Sequence, residues 1–138
     1  MRIAHISDFH LRHNLAGTSA AASRRSRQMP ELLEEALSLI ESRQPDLVAI
    51  TGDLTDHPLE VDALDHPDSL RGGRADLRLI GDLLATFSCP WFVLPGNHDH
   101  PGLFAEVFGG RPQDTQVAGL RVLAFHDWEG EHHVPQRV

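Results

Sequence analysis

Three short apolar runs, set almost evenly along the chain and each leading straight into carboxylate, imidazole or amide side chains, constrain this protein more than any other feature of its sequence. The runs are Met1 to Ser7, Leu47 to Ile50 and Trp91 to Leu94. Continuous apolar runs of this length suit strands buried on both faces of a parallel sheet. Between the first two, Leu32, Leu33, Ala36, Leu37 and Ile40 recur at helical spacing behind Pro30, a favoured first helical residue, and Pro45 closes the predicted helix. Between the second and third, Leu77, Ile80, Leu84 and Phe87 mark another helical stripe. Residues 52–73, with Pro58, Pro67, Gly72 and Gly73 among several aspartates, read as a long loop. Strand, helix, strand, helix, strand is the alternation of a βαβαβ unit, an α/β fold whose parallel strands end along one edge.

Beyond the third strand a short helix is predicted over 103–108, then an antiparallel hairpin of 115–117 with 120–125, turned through Ala118-Gly119. Residues 126–138 show no apolar periodicity, and Gln136-Arg137-Val138 reads as the approach to a further helix. Thr18 to Arg27 reads as a short mobile loop; for Arg24, Arg25 and Arg27 a contact with phosphate is weighed against a solvated basic loop, and the solvated loop is preferred.

Composition narrows the class. With 138 residues, 41% hydrophobic and 23% charged, the chain has the make-up of one globular domain, and disordered and collagen-like classes are excluded. A net charge of −8 argues against the broad basic surface that supplies non-specific nucleic-acid affinity, so a phosphate ligand needs a local anchor. Nucleic acid is therefore not the favoured partner. The single Cys89 excludes an intrachain disulfide framework and any multi-cysteine zinc cluster. No run approaches a membrane span, and the N-terminus reads directly as a strand, so a cytoplasmic location is expected.

Ligands of open α/β sheets bind just beyond the carboxyl ends of the strands. There the chain places Asp8-Phe9-His10, then Gly52-Asp53-Leu54-Thr55-Asp56, then Gly96-Asn97-His98-Asp99. Asp8 and Asp53 stand 45 positions apart and Asp53 and Asn97 stand 44 apart, about one βα unit each. Carboxylate, imidazole and amide donors without thiolates suit divalent Mn, Fe or Zn. A shared carboxylate such as Asp53 is suited to bridging two ions that clamp a phosphoryl group. Taken singly, Asp8, Asp53 and Asp56 are equally well read as turn or capping aspartates. Capping gives no reason for the imidazoles.

Together the three segments resemble the first three motifs of the calcineurin-like metallophosphoesterases, matching in order, spacing and strand context over residues 1 to about 100. The resemblance implies a layered α/β sandwich and a divalent-metal-dependent phosphoesterase with two metal ions. It implies metal ligands at Asp8, His10, Asp53 and Asn97, with Asp53 bridging, and His98 as the acid. Asp56 would hydrogen-bond the catalytic histidine. The substrate would be a phosphomonoester or phosphodiester, a small molecule or nucleotide, hydrolysed by metal-activated water.

The family's later histidine and Gly-His-x-His motifs have no counterpart in this chain, so residues 1–138 read as the N-terminal portion of a metallophosphoesterase domain, truncated before its second half. His132-His133 has no apolar strand leading into it and is not read as the replacement. The competing reading is a non-catalytic fragment or metal-binding interaction module. A nucleotide-binding domain without chemistry would need a glycine-rich phosphate loop, which is absent. Elsewhere His5 reads as a packed, hydrogen-bonded core residue, His57 and His66 as solvated surface histidines, and His100 as open to a role at the substrate entrance.

Overall fold

The structure, a computed structural model, describes residues 1–19, 21, 23–111, 114–125, 127–129 and 135–137. Strand β1 (Ile3–Ile6), helix α1 (Met29–Ser42), β2 (Leu47–Thr51), α2 (Val61–Leu64), α3 (Pro67–Leu84) and β3 (Trp91–Leu94) follow in order. Then come α4 (Pro101–Phe108) and two antiparallel ladders, β4 (Asp114–Val117) with β5 (Leu120–Leu123) and β6 (Asp127–Glu129) with β7 (Pro135–Arg137). The first three strands form one parallel sheet in the order β1-β2-β3, so the βαβαβ expectation holds. The β4–β5 turn runs through Ala118 and Gly119, both at positive φ, the geometry that two-residue hairpin turns require.

Strand alternation decides which face meets the helices. Val48, Ile50 and Val93 pack with Leu33 and Leu37 of α1, Leu77, Ile80 and Leu84 of α3, and Phe104 and Phe108 of α4. On the opposite face Leu47 and Phe92 meet Val117 of β4. His5 lies on that second face at the β1 edge and is exposed, so the core reading of this histidine is corrected. Its hydrogen bond stands, Nε2 to Thr51 Oγ1 at 2.6 Å. The reason is coverage: the β4 contact reaches β2 and β3, whereas Ile3 on β1 is 50% exposed.

The long loop predicted over 52–73 is also corrected. Helix α3 begins at Pro67, capped by His66, whose Nδ1 accepts from the Asp68 amide at 3.2 Å, so His66 caps a helix. Gly72 and Gly73 are helical. A Cβ at Gly72 would lie 2.9 Å from Asn14 O and Leu15 Cα, and one at Gly73 would lie 2.7 Å from His57 Nδ1. Glycine costs roughly 1 kcal/mol within a helix, and here it lets two other segments rest directly on the helix backbone. Residues 135–137 form a strand against 127–129 rather than approaching a helix, because pairing with a partner strand overrides weak local pattern. His132 and His133 lie outside the described residues.

His57, read as a surface histidine, is buried beneath α3, with Nε2 2.9 Å from Leu64 O. Burial, the largest cause, holds its pKa below the ordinary 6.5. The unfolded chain therefore takes up a proton near pH 6.5 that the folded chain refuses until lower pH. Stability contributed by neutral His57 is lost as pH falls from 6.5 through the folded pKa. Urea melts between pH 7.5 and 5 are expected to show a steeper acid loss for wild type than for His57→Gln, which keeps a donor for Leu64. Parallel pH profiles would reject this.

Candidate metal centre

The segment after β1 and the segment after β2 run side by side. The Asp8 amide donates to Gly52 O at 3.1 Å, His10 to Asp53 O at 2.9 Å and Leu11 to Leu54 O at 3.0 Å, and Asp56 returns to Leu11 O at 3.0 Å. The turn after β3 is stitched on by Asp99. Its buried carboxylate accepts from the amides of Leu54 at 3.1 Å, Thr55 at 2.9 Å and Gly96 at 2.9 Å, and from Thr55 Oγ1 at 3.0 Å. Burial pushes its pKa up against those four bonds. Backbone pairing and one buried carboxylate thus bring the three strand ends together.

Asp8, His10 and Asp53 all sit at positive φ, at 60°, 45° and 51°. Apart from glycine, it is asparagine, aspartate and histidine that enter this region most readily, so each of the three turns holds a residue suited to it. Gly96 explains the close approach of the third strand end. A Cβ there would overlap the amide nitrogen and Oδ1 of Asp53. Gly96→Ala is expected to cost about 1–3 kcal/mol, the usual range for overpacking, and to shift Asp53. Gly110, with nothing within 4 Å of a Cβ, is the neutral control in the same denaturant titration.

One donor atom each from His10, Asp53 and His98 lie within 4.8 Å of one another. His10 Nε2 is 3.5 Å from Asp53 Oδ2 and 3.9 Å from Asp8 Oδ1. The His98 amide donates to Asp53 Oδ1 at 3.0 Å, and the His98 ring meets the His10 ring edge to face at 4.8 Å. Nδ1 of both rings is buried without a hydrogen-bond partner among the described residues. Burial chiefly, with the Arg24 charge second, lowers the His10 pKa, which favours the neutral ring that a cation needs. Two imidazoles, a carboxylate and unpartnered ring nitrogens fit a divalent ion. Asp8 is exposed at the rim of this group, and Asn97 projects from the turn after β3 with an exposed side chain.

Asp56 is placed differently from the sequence expectation. Its Oδ1 lies 3.9 Å from His98 Nδ1 and 4.0 Å from His10 Nδ1, beyond hydrogen-bond range of either ring. The carboxylate is held instead by Arg12 Nε at 3.1 Å and Arg24 Nη1 at 2.9 Å. Burial works to raise its pKa; the Ser19 hydrogen bond and the Arg12 and Arg24 charges outweigh it, so Asp56 stays below the ordinary carboxylate range. Arg24, read as part of a solvated loop, is therefore half-buried and paired. Arg12 carried no signal in the sequence beyond following the first motif. His100 caps α4, accepting from the Leu103 amide at 3.2 Å, and pairs with Asp65 at 3.0 Å, which leaves its ring tied to structure.

Among the described residues no helix is long and apolar enough to cross a membrane. The parallel sheet, the shared strand edge and the histidine–aspartate group agree with a match to the family model for calcineurin-like phosphoesterases over residues 1–134, and the chain belongs to that family.

Proposed function

We propose that the chain hydrolyses phosphomonoesters or phosphodiesters with two divalent ions, Mn, Fe or Zn, held by Asp8, His10, Asp53 and Asn97. The family supplies the reaction class, metal-dependent action on phosphate esters. The observation that carries the site is the convergence of His10, Asp53 and His98 donor atoms within 4.8 Å at the shared strand edge. Bound ions would polarise the phosphoryl oxygens and lower the pKa of the attacking water. Asp53 would be the shared carboxylate, a reading supported by its Oδ2 lying 3.5 Å from His10 Nε2 and its Oδ1 accepting from the His98 amide.

His98 acts as the acid, handing its proton to the leaving oxygen. Asp56 acts on it through space, a fixed negative charge 3.9 Å from Nδ1, itself held by Arg12 and Arg24. The substrate is a small phosphate ester or nucleotide, and duplex nucleic acid is not favoured on a chain of net charge −8. A cytoplasmic location stays part of this reading, on the lone Cys89 of a chain without a disulfide framework.

The test is hydrolysis of bis-p-nitrophenyl phosphate and p-nitrophenyl phosphate with added Mn. Wild type is expected to turn over and to stop with EDTA, and His98→Ala is expected to lose about 10²–10⁴-fold, the usual share of a general acid. The diester-to-monoester ratio then narrows the substrate. No turnover with Mn, Fe or Zn would overturn the catalytic reading and leave a metal-binding module.

A further inference from the structure

Beside the metal centre lies a cavity of about 910 Å³ whose walls include Arg12, Arg24, Arg25, Arg27, Ser19 and Ser26. Its volume falls within the roughly 300–1,000 Å³ of ligand sites. Its charge runs against that of the chain. Between Asp8 and Glu31 there are four arginines and no carboxylate, in a sequence holding 20 Asp plus Glu. In space one carboxylate, Asp56, answers two of the four guanidinium groups, those of Arg12 and Arg24.

Arg27 spends its donors on the neutral carbonyls of His13 and Gly17, both at 2.7 Å, so its charge is uncancelled. Arg25 is exposed, and its guanidinium group makes no ion pair or hydrogen bond with the described residues. Ser26 is 4% exposed and its hydroxyl has no partner among the described residues. A buried hydroxyl without a partner costs free energy and marks a place where a ligand oxygen or a water is expected. Excess guanidinium charge beside one free hydroxyl donor is the chemistry of an oxyanion site, above all phosphate.

We infer that this cavity is a subsite for a second phosphate group of the substrate, one that is not hydrolysed. Arg12 and Arg24 line the cavity and also hold Asp56, which stands 3.9 Å from His98 and 4.0 Å from His10, so the cavity shares a wall with the metal centre. A phosphate seated there sits one side-chain layer from the reacting ester. The substrate class is accordingly a nucleotide or other phosphate ester that carries a further phosphate nearby. This rests on the hydrolytic reading for its role in turnover, but not for the binding itself.

Two arms separate the two claims. In the first, inorganic phosphate is titrated into the protein in EDTA by calorimetry, with Arg25→Ala, Ser26→Ala and, as control, Arg71→Ala, an exposed arginine on α3. Saturable binding is expected for wild type and Arg71→Ala, weakened about tenfold or more in Arg25→Ala, the usual effect of losing a charge-assisted bond. Absent binding, or binding equal in Arg25→Ala, overturns the subsite whatever the hydrolysis assay shows. In the second, KM is compared for thymidine 5′-(p-nitrophenyl phosphate) and its 3′-phosphorylated form with Mn. Arg25→Ala is expected to raise KM about tenfold for the 3′-phosphorylated ester and to leave the other unchanged. Equal effects on both would overturn its role in substrate choice.

Discussion

Asp53→Ala is expected to remove divalent-ion binding and phosphoester hydrolysis together, with a loss well above 100-fold. Loss of a residue one layer out from a metal costs about 10–100-fold, and in the proposed centre Asp53 would stand inside that layer. Its Oδ2 is 3.5 Å from His10 Nε2, its Oδ1 accepts from the His98 amide at 3.0 Å, and its carbonyl accepts from the His10 amide at 2.9 Å. It therefore touches both other strand ends. Alanine also pays for the positive φ of 51°, which asparagine tolerates far better. Asp53→Asn is thus the informative companion, since it keeps the backbone and an acceptor for His98 while removing the charge. Calorimetric Mn binding and bis-p-nitrophenyl phosphate turnover are expected to fall in both variants, with Asp53→Asn folding as wild type does. Undiminished metal binding in Asp53→Asn would remove this residue from the centre.

Asp76→Ala is expected to give the largest loss of stability, about 3 kcal/mol, with a fall in Tm of roughly 10 °C for a domain of this size. Asp76 lies on α3, fully buried. It accepts from the amides of His13 at 3.1 Å, Asn14 at 2.7 Å and Leu15 at 3.1 Å, and from the Asn14 side chain at 2.9 Å. Alanine leaves those donors without acceptors where Leu15 is buried and α3 rests on Asn14 through Gly72. Burial raises the Asp76 pKa, so the carboxylate itself carries a cost that the four bonds offset. Asp76→Asn, which keeps one acceptor oxygen, is expected to lose less. Urea titration of the three proteins checks the order wild type, Asp76→Asn, Asp76→Ala. An Asp76→Ala protein as stable as wild type would show that the loop after β1 is held elsewhere.

Asp76 also shows where sequence reading stops. It falls on the same helical stripe as Gly72, Gly73, Leu77 and Ile80, and a carboxylate on a buried stripe is itself a signal. The two glycines, read as loop punctuation, hid the helix that carries it. The opposite error concerned His57, polar in composition and placed between Asp56 and Pro58, yet packed against Gly73. In both cases the deciding contact comes from a segment distant along the chain. Local pattern contains no trace of such a neighbour.

What the sequence determined by itself was the alternation of apolar runs and stripes, and hence a parallel βαβαβ sheet with its three polar motifs on one edge. Period and spacing are enough for that, because strand direction and crossover length follow from chain connectivity. Tertiary structure alone decided how those motifs meet: Asp53 against Gly96, His10 facing Asp53 and His98, and Asp56 turned to Arg12 and Arg24. It also gathered four arginines of one acid-free stretch around a single cavity. Side-chain partners depend on distances between segments folded from opposite ends of a sheet, and charge seeks whatever countercharge burial leaves within reach.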